Sequence, residues 1–411
     1  MSWGLSSDAV SLAVGLFLAG VWISRLVLVA RNMDSVPQIS GSEYDVAPTG
    51  PSGEVPRVSI VVPARNEEQH VRAAVLSLLQ LDYPDYEVIV VDDRSEDATG
   101  PILDRLQEEW RARGEELHHR LNVLHVRELP PGWLGKTHAM WKASQKASGH
   151  WLLFTDADVI FSQDALRRAV AFAERNRADH LVLFPTMVME SVGERMMIAF
   201  FQSQFVFAHL PWKAADPKSR DAIGVGAFNL IRRDVYERIG TYKRMRLEIL
   251  DDMRLGEVVK HEGFRQRAVF GRDLLCLRWI VGAYGMVRNL TKNGFAILRF
   301  SLWFTILAIC GLLFVNAGPF VGAVMASGYA RVGYLFAVGA IAAIYVGMSW
   351  YSDVSPWLAI LHPIGALLFC FALARSAVLT LWDGGIRWRE TYYSMAELRK
   401  FMRDEPRRTW L

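Results

Sequence analysis

The sequence predicts an α/β fold with a mostly parallel sheet, carried between apolar, membrane-spanning helices at the two ends of the chain. Short β-branched runs alternate with stretches of helical period between residues 57 and 272. Acidic motifs stand at the carboxyl ends of those runs. The 52% hydrophobic composition of the 411 residues is concentrated in residues 1–34 and 300–381.

Val10 to Ala30 is almost uninterrupted apolar sequence, long enough for a spanning helix. No basic residue precedes it and no small-residue cleavage site follows, so it reads as an anchor rather than a cleaved leader. Arg25 and Arg31 at its far end predict that this end faces the cytoplasm, with the N-terminus outside. Residues 35–56, rich in Pro, Gly and Ser from Ser40 onward, read as a linker to the soluble domain.

Val58-Ser59-Ile60-Val61-Val62 makes a short strand, and Val71, Ala74, Val75, Leu78 and Leu79 follow at helical spacing. Tyr83-Pro84 ends that helix, and Glu87 to Val91 supplies the next strand. Ile102, Leu103 and Leu106 mark a second helix, Val123 to Val126 a third strand, and Trp151 to Thr155 a fourth. Ser162 is placed to cap a helix whose Leu166, Ala169, Val170 and Ala173 share one face. In a sheet of this kind a ligand sits outside the carboxyl ends of the strands. Pro63-Ala64-Arg65-Asn66-Glu67-Glu68, Val90-Val91-Asp92-Asp93-Arg94-Ser95 and Thr155-Asp156-Ala157-Asp158 all fall there.

Two carboxylates one residue apart at a strand end can hold Mg²⁺ or Mn²⁺ and leave positions open for phosphate oxygens. A dinucleotide oxidoreductase would share the architecture, but the loop after the first strand lacks G-x-G-x-x-G, and no P-loop occurs. Lys and Arg (46) nearly balance Asp and Glu (43), giving +3, which does not suggest a nucleic-acid binder. Three scattered cysteines exclude a disulfide framework, and His261-Glu262 lacks the second histidine of a zinc helix because Arg265 stands there.

Toward the C-terminus, residues 273–299 mix apolar and basic side chains. They suit a helix in the headgroup plane or one packed on the domain. Phe300–Met325, Val332–Met348 and Trp357–Leu381 are three candidate spans, the last carrying His362 and Arg375. Arg375 either serves function or faces neighbouring helices. Three spans after a cytoplasmic domain would put the tail, 382–411, outside. That tail carries Arg387, Arg389, Arg399, Lys400, Arg403, Arg407 and Arg408. Either one apolar run is re-entrant or the positive-inside bias fails.

In their order, these motifs resemble the nucleotide-sugar-binding domain of family 2 glycosyltransferases of the GT-A fold, over roughly Arg57 to Arg272. The resemblance implies a metal site at Asp156 and Asp158 bridging the diphosphate of a nucleotide-sugar, with Mg²⁺ or Mn²⁺ as cofactor. It further implies that Pro63, Ala64, Arg65, Glu67 and Asp156 line the nucleotide and that Asp93 contacts the base, usually uracil. Gly135-Lys136-Thr137-His138-Ala139 is similar to a family segment whose lysine holds the nucleotide, although Trp141 replaces the expected asparagine. Leu250-Asp251-Asp252 resembles the acceptor-side motif, which makes Asp252, beside Asp251, the general base of an inverting transfer. Gly224 to Asn229, with Gly226 and Ala227, is similar to a loop bordering sugar and acceptor.

Processive relatives carry Gln-x-x-Arg-Trp, whereas Leu275-Cys276-Leu277-Arg278-Trp279 keeps only Arg278 and Trp279. That departure favours single transfer to a lipid, as in transferases of hopanoids, carotenoids or sphingolipids. The expectation is a multi-pass cell-membrane enzyme with its catalytic domain cytoplasmic. A processive polysaccharide synthase and a non-catalytic nucleotide-binding scaffold are the alternatives.

Overall fold

The computed structural model describes residues 7–50, 53–114, 119–388 and 391–404. Arg389, Arg407 and Arg408 of the basic tail lie outside them. The chain divides into two compact units. An α/β unit holds residues Ser35–Val188 and Leu210–Arg278, and a helical unit holds 7–34, Met189–His209 and 279–404.

Helix α1 (Ser7–Asn32) opens the helical unit. The α/β unit then builds its sheet. Strand β1 (Val58–Ala64), helix α2 (Val71–Leu79), β2 (Tyr86–Asp93), α3 (Thr99–Arg111), β3 (Leu121–Val126), α4 (Gly135–Ser144) and β4 (Trp151–Phe154) follow in sequence. After β5 (Ile160–Phe161), α5 (Ala165–Arg175), β6 (His180–Phe184) and β7 (Thr186–Met187), the chain leaves through α6 (Val192–Ala208). It returns as β8 (Asn229–Arg232), α7 (Arg233–Arg238), α8 (Thr241–Arg244), α9 (Asp251–His261), β9 (Gln266–Phe270) and β10 (Leu275–Leu277). The expectation of one unbroken domain from 57 to 272 therefore meets a difference at Met189–His209, whose apolar helix belongs with the other helices.

Seven strands form the main sheet in the order β3-β2-β1-β4-β8-β6-β9. The pairs β3–β2, β2–β1, β1–β4 and β6–β9 are parallel, and β8 is antiparallel to β4 and β6. Every residue of β1 and β2 is buried, so these strands read as continuous apolar runs rather than alternating ones. The sheet is covered on one side by a core that joins Val61, Ile89 and Phe154 to Ala139, Tyr236, Tyr242 and Leu255.

Residues 35–56, expected as a free linker, are instead docked over their first ten positions. Val36 and Ile39 are buried, and Gln38 bridges to Phe270 at the edge of the sheet. Arg168 donates to the carbonyls of Ser40 and Gly41 and pairs with Asp45 at 2.8 Å. Two apolar side chains and one arginine outweigh the flexible composition. Ser162 is not the cap of α5; Asp164 holds that position, and Ser162 donates to its carboxylate at 2.7 Å.

The helical unit continues with α10 (Gly282–Ile297), α11 (Leu302–Asn316), α12 (Gly318–Met325), α13 (Gly328–Tyr351) and α14 (His362–Asp383). A hairpin of β11 (Gly385–Trp388) and β12 (Thr391–Ser394) and helix α15 (Met395–Asp404) end it. Asp8–Ser35, Gly328–Tyr351 and Pro356–Asp383 are each long and apolar enough to cross a membrane, and the α11/α12 pair is bent by 47° at its break. Helix α10 packs on α14, where Gly294 meets Leu373 and Ser376, and so belongs to the helical unit, a partner that neither expectation named. Arg375 donates to Thr291 of α10 at 2.8 Å, the neighbouring-helix alternative.

Candidate active site

The loops after β1 and β2 are laced together by their own polar side chains. Asn66, in the left-handed region at φ 55°, donates its N–H to the Ser95 hydroxyl oxygen, and its side-chain carbonyl accepts from the Glu96 N–H at 2.8 Å. The Glu67 N–H donates to Thr99 Oγ1 at 2.8 Å, and the Glu68 carboxylate accepts from the Ala98 N–H. Pro63, Ala64, Arg65 and Glu67 are thereby fixed at the carboxyl edge of the sheet, with Ala64 and Arg65 buried. None of Asn66, Ser95 and Thr99 was singled out in the sequence; the signal was Asx and hydroxyl residues in both loops.

Asp92 and Asp93 end β2 in different surroundings. Asp92 accepts from His125 at 3.0 Å, and the other ring nitrogen of His125 meets Asp104 at 2.9 Å. Burial works against the charge on that imidazole, but the two carboxylates outweigh it and raise its pKa. Asp93, expected at the base, has both oxygens engaged by Arg94, at 2.8 and 3.0 Å. Gly135 lies against it so closely that a Cβ there would stand 2.2 Å from Asp93 Oδ2.

The remaining acids converge. Lys136, in the first turn of α4, places its ammonium 2.8 Å from Asp156 and 3.3 Å from Asp251. Burial opposes its charge, but Asp156, Asp251 and Asp252 together prevail and raise its pKa. Asp251 and Asp252 open α9, where the helix dipole favours acids. Asp252 accepts from its neighbour Met253 N–H at 2.7 Å and from the Gly226 N–H. A Cβ on Gly226 would stand 2.5 Å from Asp156 Oδ2 and 3.6 Å from Asp252 Oδ2, so this glycine sits between the two carboxylates. Gly224 is excluded from substitution more strictly, since a Cβ would meet the Asp252 carbonyl at 1.9 Å. Gly226→Val is expected to abolish activity while leaving the melting temperature within a few degrees, read by parallel assay and thermal melt. Its side chain would occupy the space between Asp156 and Asp252.

The Ile223–Phe228 loop has its own buried support. Gln266 pairs with both backbone groups of Ile223 at 2.9 Å and donates to His180. His180 in turn meets Asn229, which donates to Val225 O at 3.0 Å. Burial pushes the His180 imidazole down to about 4, so it stays neutral. Thr155 donates to the carbonyl of Ala227 at 2.8 Å and ties this loop to β4.

Burial, then repulsion from Asp156 and Glu67, pushes Asp158 up to about 6. Burial also raises Asp251, to about 7, with Lys136 opposing and the other aspartates reinforcing. Asp252 rises for the same first reason. Crowded oxygen donors whose own repulsion resists ionisation suit a hard divalent cation. Among the described residues no three His, Cys, Asp or Glu side chains are grouped to hold an ion. A cation at Asp156 and Asp158 would complete its shell with water and ligand oxygens, and Asp156 would have to exchange its pairing with Lys136. Arg278, by contrast, is exposed at the end of β10, and Trp279 packs its ring on Phe201 of α6 at 4.7 Å.

The profile of glycosyl transferase family 2 matches residues 59–240. The chain is 28% identical to a beta-monoglucosyldiacylglycerol synthase from Synechocystis sp. over 199 residues, covering 45% of this chain and 40% of that protein. It is 24% identical to 4,4'-diaponeurosporenoate glycosyltransferase from Staphylococcus aureus over 255 residues, 59% of this chain and 64% of that one. A poly(ribitol-phosphate) beta-N-acetylglucosaminyltransferase from Staphylococcus aureus is 29% identical over 129 residues, 31% of this chain. The chain spans only 20% of that protein's length. In structure, a mannosyltransferase from Pyrobaculum calidifontis, solved in complex with GDP-Man and Mn²⁺, shares the fold. Its TM-score is 0.53 at 20% identity, covering 91% of this chain and 99% of that one. With its motifs at the carboxyl edge of a GT-A-like sheet, the chain carries at residues 59–240 a domain that matches glycosyl transferase family 2.

Proposed function

We propose that this protein is a membrane-bound glycosyltransferase that moves a sugar from a nucleotide-sugar to a hydroxyl of a lipid at the bilayer surface, with inversion. The observation that carries this reading is the gathering of Asp156, Asp251 and Asp252 about Lys136 and Gly226 at one sheet edge. Pro63, Ala64, Arg65, Glu67 and Asp93 line the nucleoside. Asp156 and Asp158 would hold a divalent cation, which would supply charge neutralisation at the departing diphosphate. Lys136 offers its ammonium to the same oxygens. Asp252, aimed by two backbone N–H groups, takes the proton of the acceptor hydroxyl as its oxygen attacks the anomeric carbon. The bond to the diphosphate breaks as the new C–O bond forms, and a single displacement from the opposite face inverts the centre. Asp251 keeps Lys136 in place. Gly226 and Ala227 border the sugar, and Arg278 and Trp279 lie toward the acceptor.

Two relatives carry diacylglycerol and diaponeurosporenoate in their names, which supports a lipid acceptor. The neighbour of like fold holds GDP-Man and Mn²⁺, which supports a nucleotide-sugar and a metal. The test is donor hydrolysis in detergent, with UDP- and GDP-sugars and Mn²⁺ or Mg²⁺, repeated with extracted membrane lipids. Lipid-dependent transfer that EDTA abolishes is expected; full activity in EDTA would remove the cation from the scheme.

Mn²⁺ is also expected to raise the melting temperature more at pH 8 than at pH 5. Asp158 and Asp251 have folded pKa values above the ordinary carboxylate value, so ionising them costs the folded state stability as pH rises through about 4 to 7. A cation relieves that cost only where the acids are ionised. Thermal melts at both pH values, with Asp158→Asn as control, check it; an equal shift at both would count against the site.

A further inference from the structure

Among the described residues the apolar helices number enough for four crossings if the bent α11/α12 pair counts as one, and the direction of each can be read from its contacts. Near the start of α1, Gly15 packs against Ala330 and Tyr334 of α13, and a Cβ on Gly333 would meet Gly15 at 2.6 Å. At the other end, the Tyr351 hydroxyl donates to Asp34. Residue numbers rise together, so α1 and α13 are parallel. Their C-terminal ends share the face at which the chain passes into the α/β unit, and Ser7 and Gly328 share the far face.

Helix α12 turns back on α13, with Gly322 against the Tyr334 ring. Met325 therefore lies at the far face and Gly318 deeper. The bend between α11 and α12 is 47°, well short of a reversal. The pair thus runs onward in one sense, from the domain face to the far face, as one broken crossing. Its 15 and 8 residues span about 22 and 12 Å, enough together and too little apart.

Helix α13 brings the chain back to the domain face, and α14 does not leave it by a full crossing. His362, the first residue of α14, meets Tyr345 at 3.0 Å and Asn316, at the α11/α12 break, at 3.0 Å, and packs on Trp22. Helix α14 therefore starts at the depth of the break. It then runs antiparallel to α11: Asn316 meets His362, and Ile309 O meets Cys370 at 3.9 Å. Beyond α14, Arg399 donates to Phe300 O, just before α11 begins. Since α11 descends from the domain face, α14 climbs toward it. A helix rising from the break also carries Arg375 away from mid-bilayer, where a guanidinium is costly.

The segment after α14 has the chemistry of a membrane surface. Trp382 is 87% exposed and Tyr392 48% exposed, the aromatics favoured at headgroup depth. Arg387, Lys400 and Arg403 are exposed, while Leu398 and Phe401 of α15 are buried. Resting on the membrane-bound reading of the function, we propose that the chain crosses three times, through α1, α11/α12 and α13. Helix α14 is then re-entrant, starting within the bilayer at the depth of the break and re-emerging on the domain side, and the hairpin and α15 lie on acidic phospholipid headgroups of that leaflet. This removes the conflict between span count and basic tail.

Full-length chains test the topology. A fluorescent protein fused after residue 411 should be bright and alkaline phosphatase there inactive, while Ser327→Cys labels in intact cells with an impermeant maleimide. Active phosphatase at the C-terminus with Ser327→Cys still labelled from outside would make α14 a full span and overturn the proposal. A chain recovered from the soluble fraction would instead sink the membrane reading itself. For the surface, the full chain in phosphatidylcholine vesicles is compared with and without phosphatidylglycerol. Protease release of a C-terminal tag should slow several-fold with the acidic lipid, and the difference should vanish in Lys400→Gln/Arg403→Gln. Equal release in both vesicles overturns the headgroup contact.

Discussion

Asp252→Asn is expected to lower sugar transfer by about two to four orders of magnitude, the range for a positioned general base, while the affinity for the donor stays within a few-fold. The reason lies in how the side chain is held. Its carboxylate accepts the Met253 and Gly226 N–H groups, and an asparagine keeps an oxygen for one of them. The shape of the site and its hold on nucleotide therefore survive, but no basic oxygen remains to take the hydroxyl proton. Burial raises the Asp252 pKa, which strengthens it as a base and makes transfer fall as pH drops toward that value. Donor binding by calorimetry beside an initial-rate assay checks the result. A variant that binds donor and transfers at the native rate would move the base elsewhere, and one that no longer binds donor would make Asp252 part of the nucleotide site.

Much of this arrangement was legible in the chain because strand ends announce themselves. A β-branched run that stops at Asp92-Asp93 or Asp156-Ala157-Asp158 fixes both the sheet and the edge where ligands gather, and β1 to β4 lie within a residue or two of the expected runs. The hidden part depends on long-range pairing, which period and propensity do not carry. Nothing local says that β8 enters antiparallel between β4 and β6, or that Gly226 comes to stand between acids 70 residues upstream and 26 downstream. The Gln266–His180–Asn229 support of the same loop joins three strands and looks like ordinary polar scatter in the sequence. Composition misled once: residues 35–56 read as a linker, yet Val36, Ile39 and the Arg168 contacts settle its first part. Hydropathy marks the candidate spans by length and composition but carries no direction. The running direction of α14 against α11 comes from the contacts of His362 and Cys370.

Lys136→Met should strongly destabilise the α/β unit. The ammonium is the cation set among Asp156, Asp251 and Asp252, and removing one partner of a buried cluster costs about 3–5 kcal/mol when the others remain charged. The acids can escape part of that cost by taking up a proton, because burial already holds the Asp251 pKa at about 7. Without the lysine its folded pKa climbs further from the unfolded value. The loss of stability is then small near pH 5, where protonated acids no longer repel, and grows as pH rises through 7 and above. Thermal melts of both proteins across that range, in the same detergent, would trace it. Added Mn²⁺ should recover part of the loss at high pH by replacing one cation with another, yet it should not recover transfer, since the ammonium offered to the diphosphate is gone. A deficit that is constant with pH and indifferent to Mn²⁺ would mean that Lys136 matters for packing along α4 rather than for the balance of charge among the three aspartates.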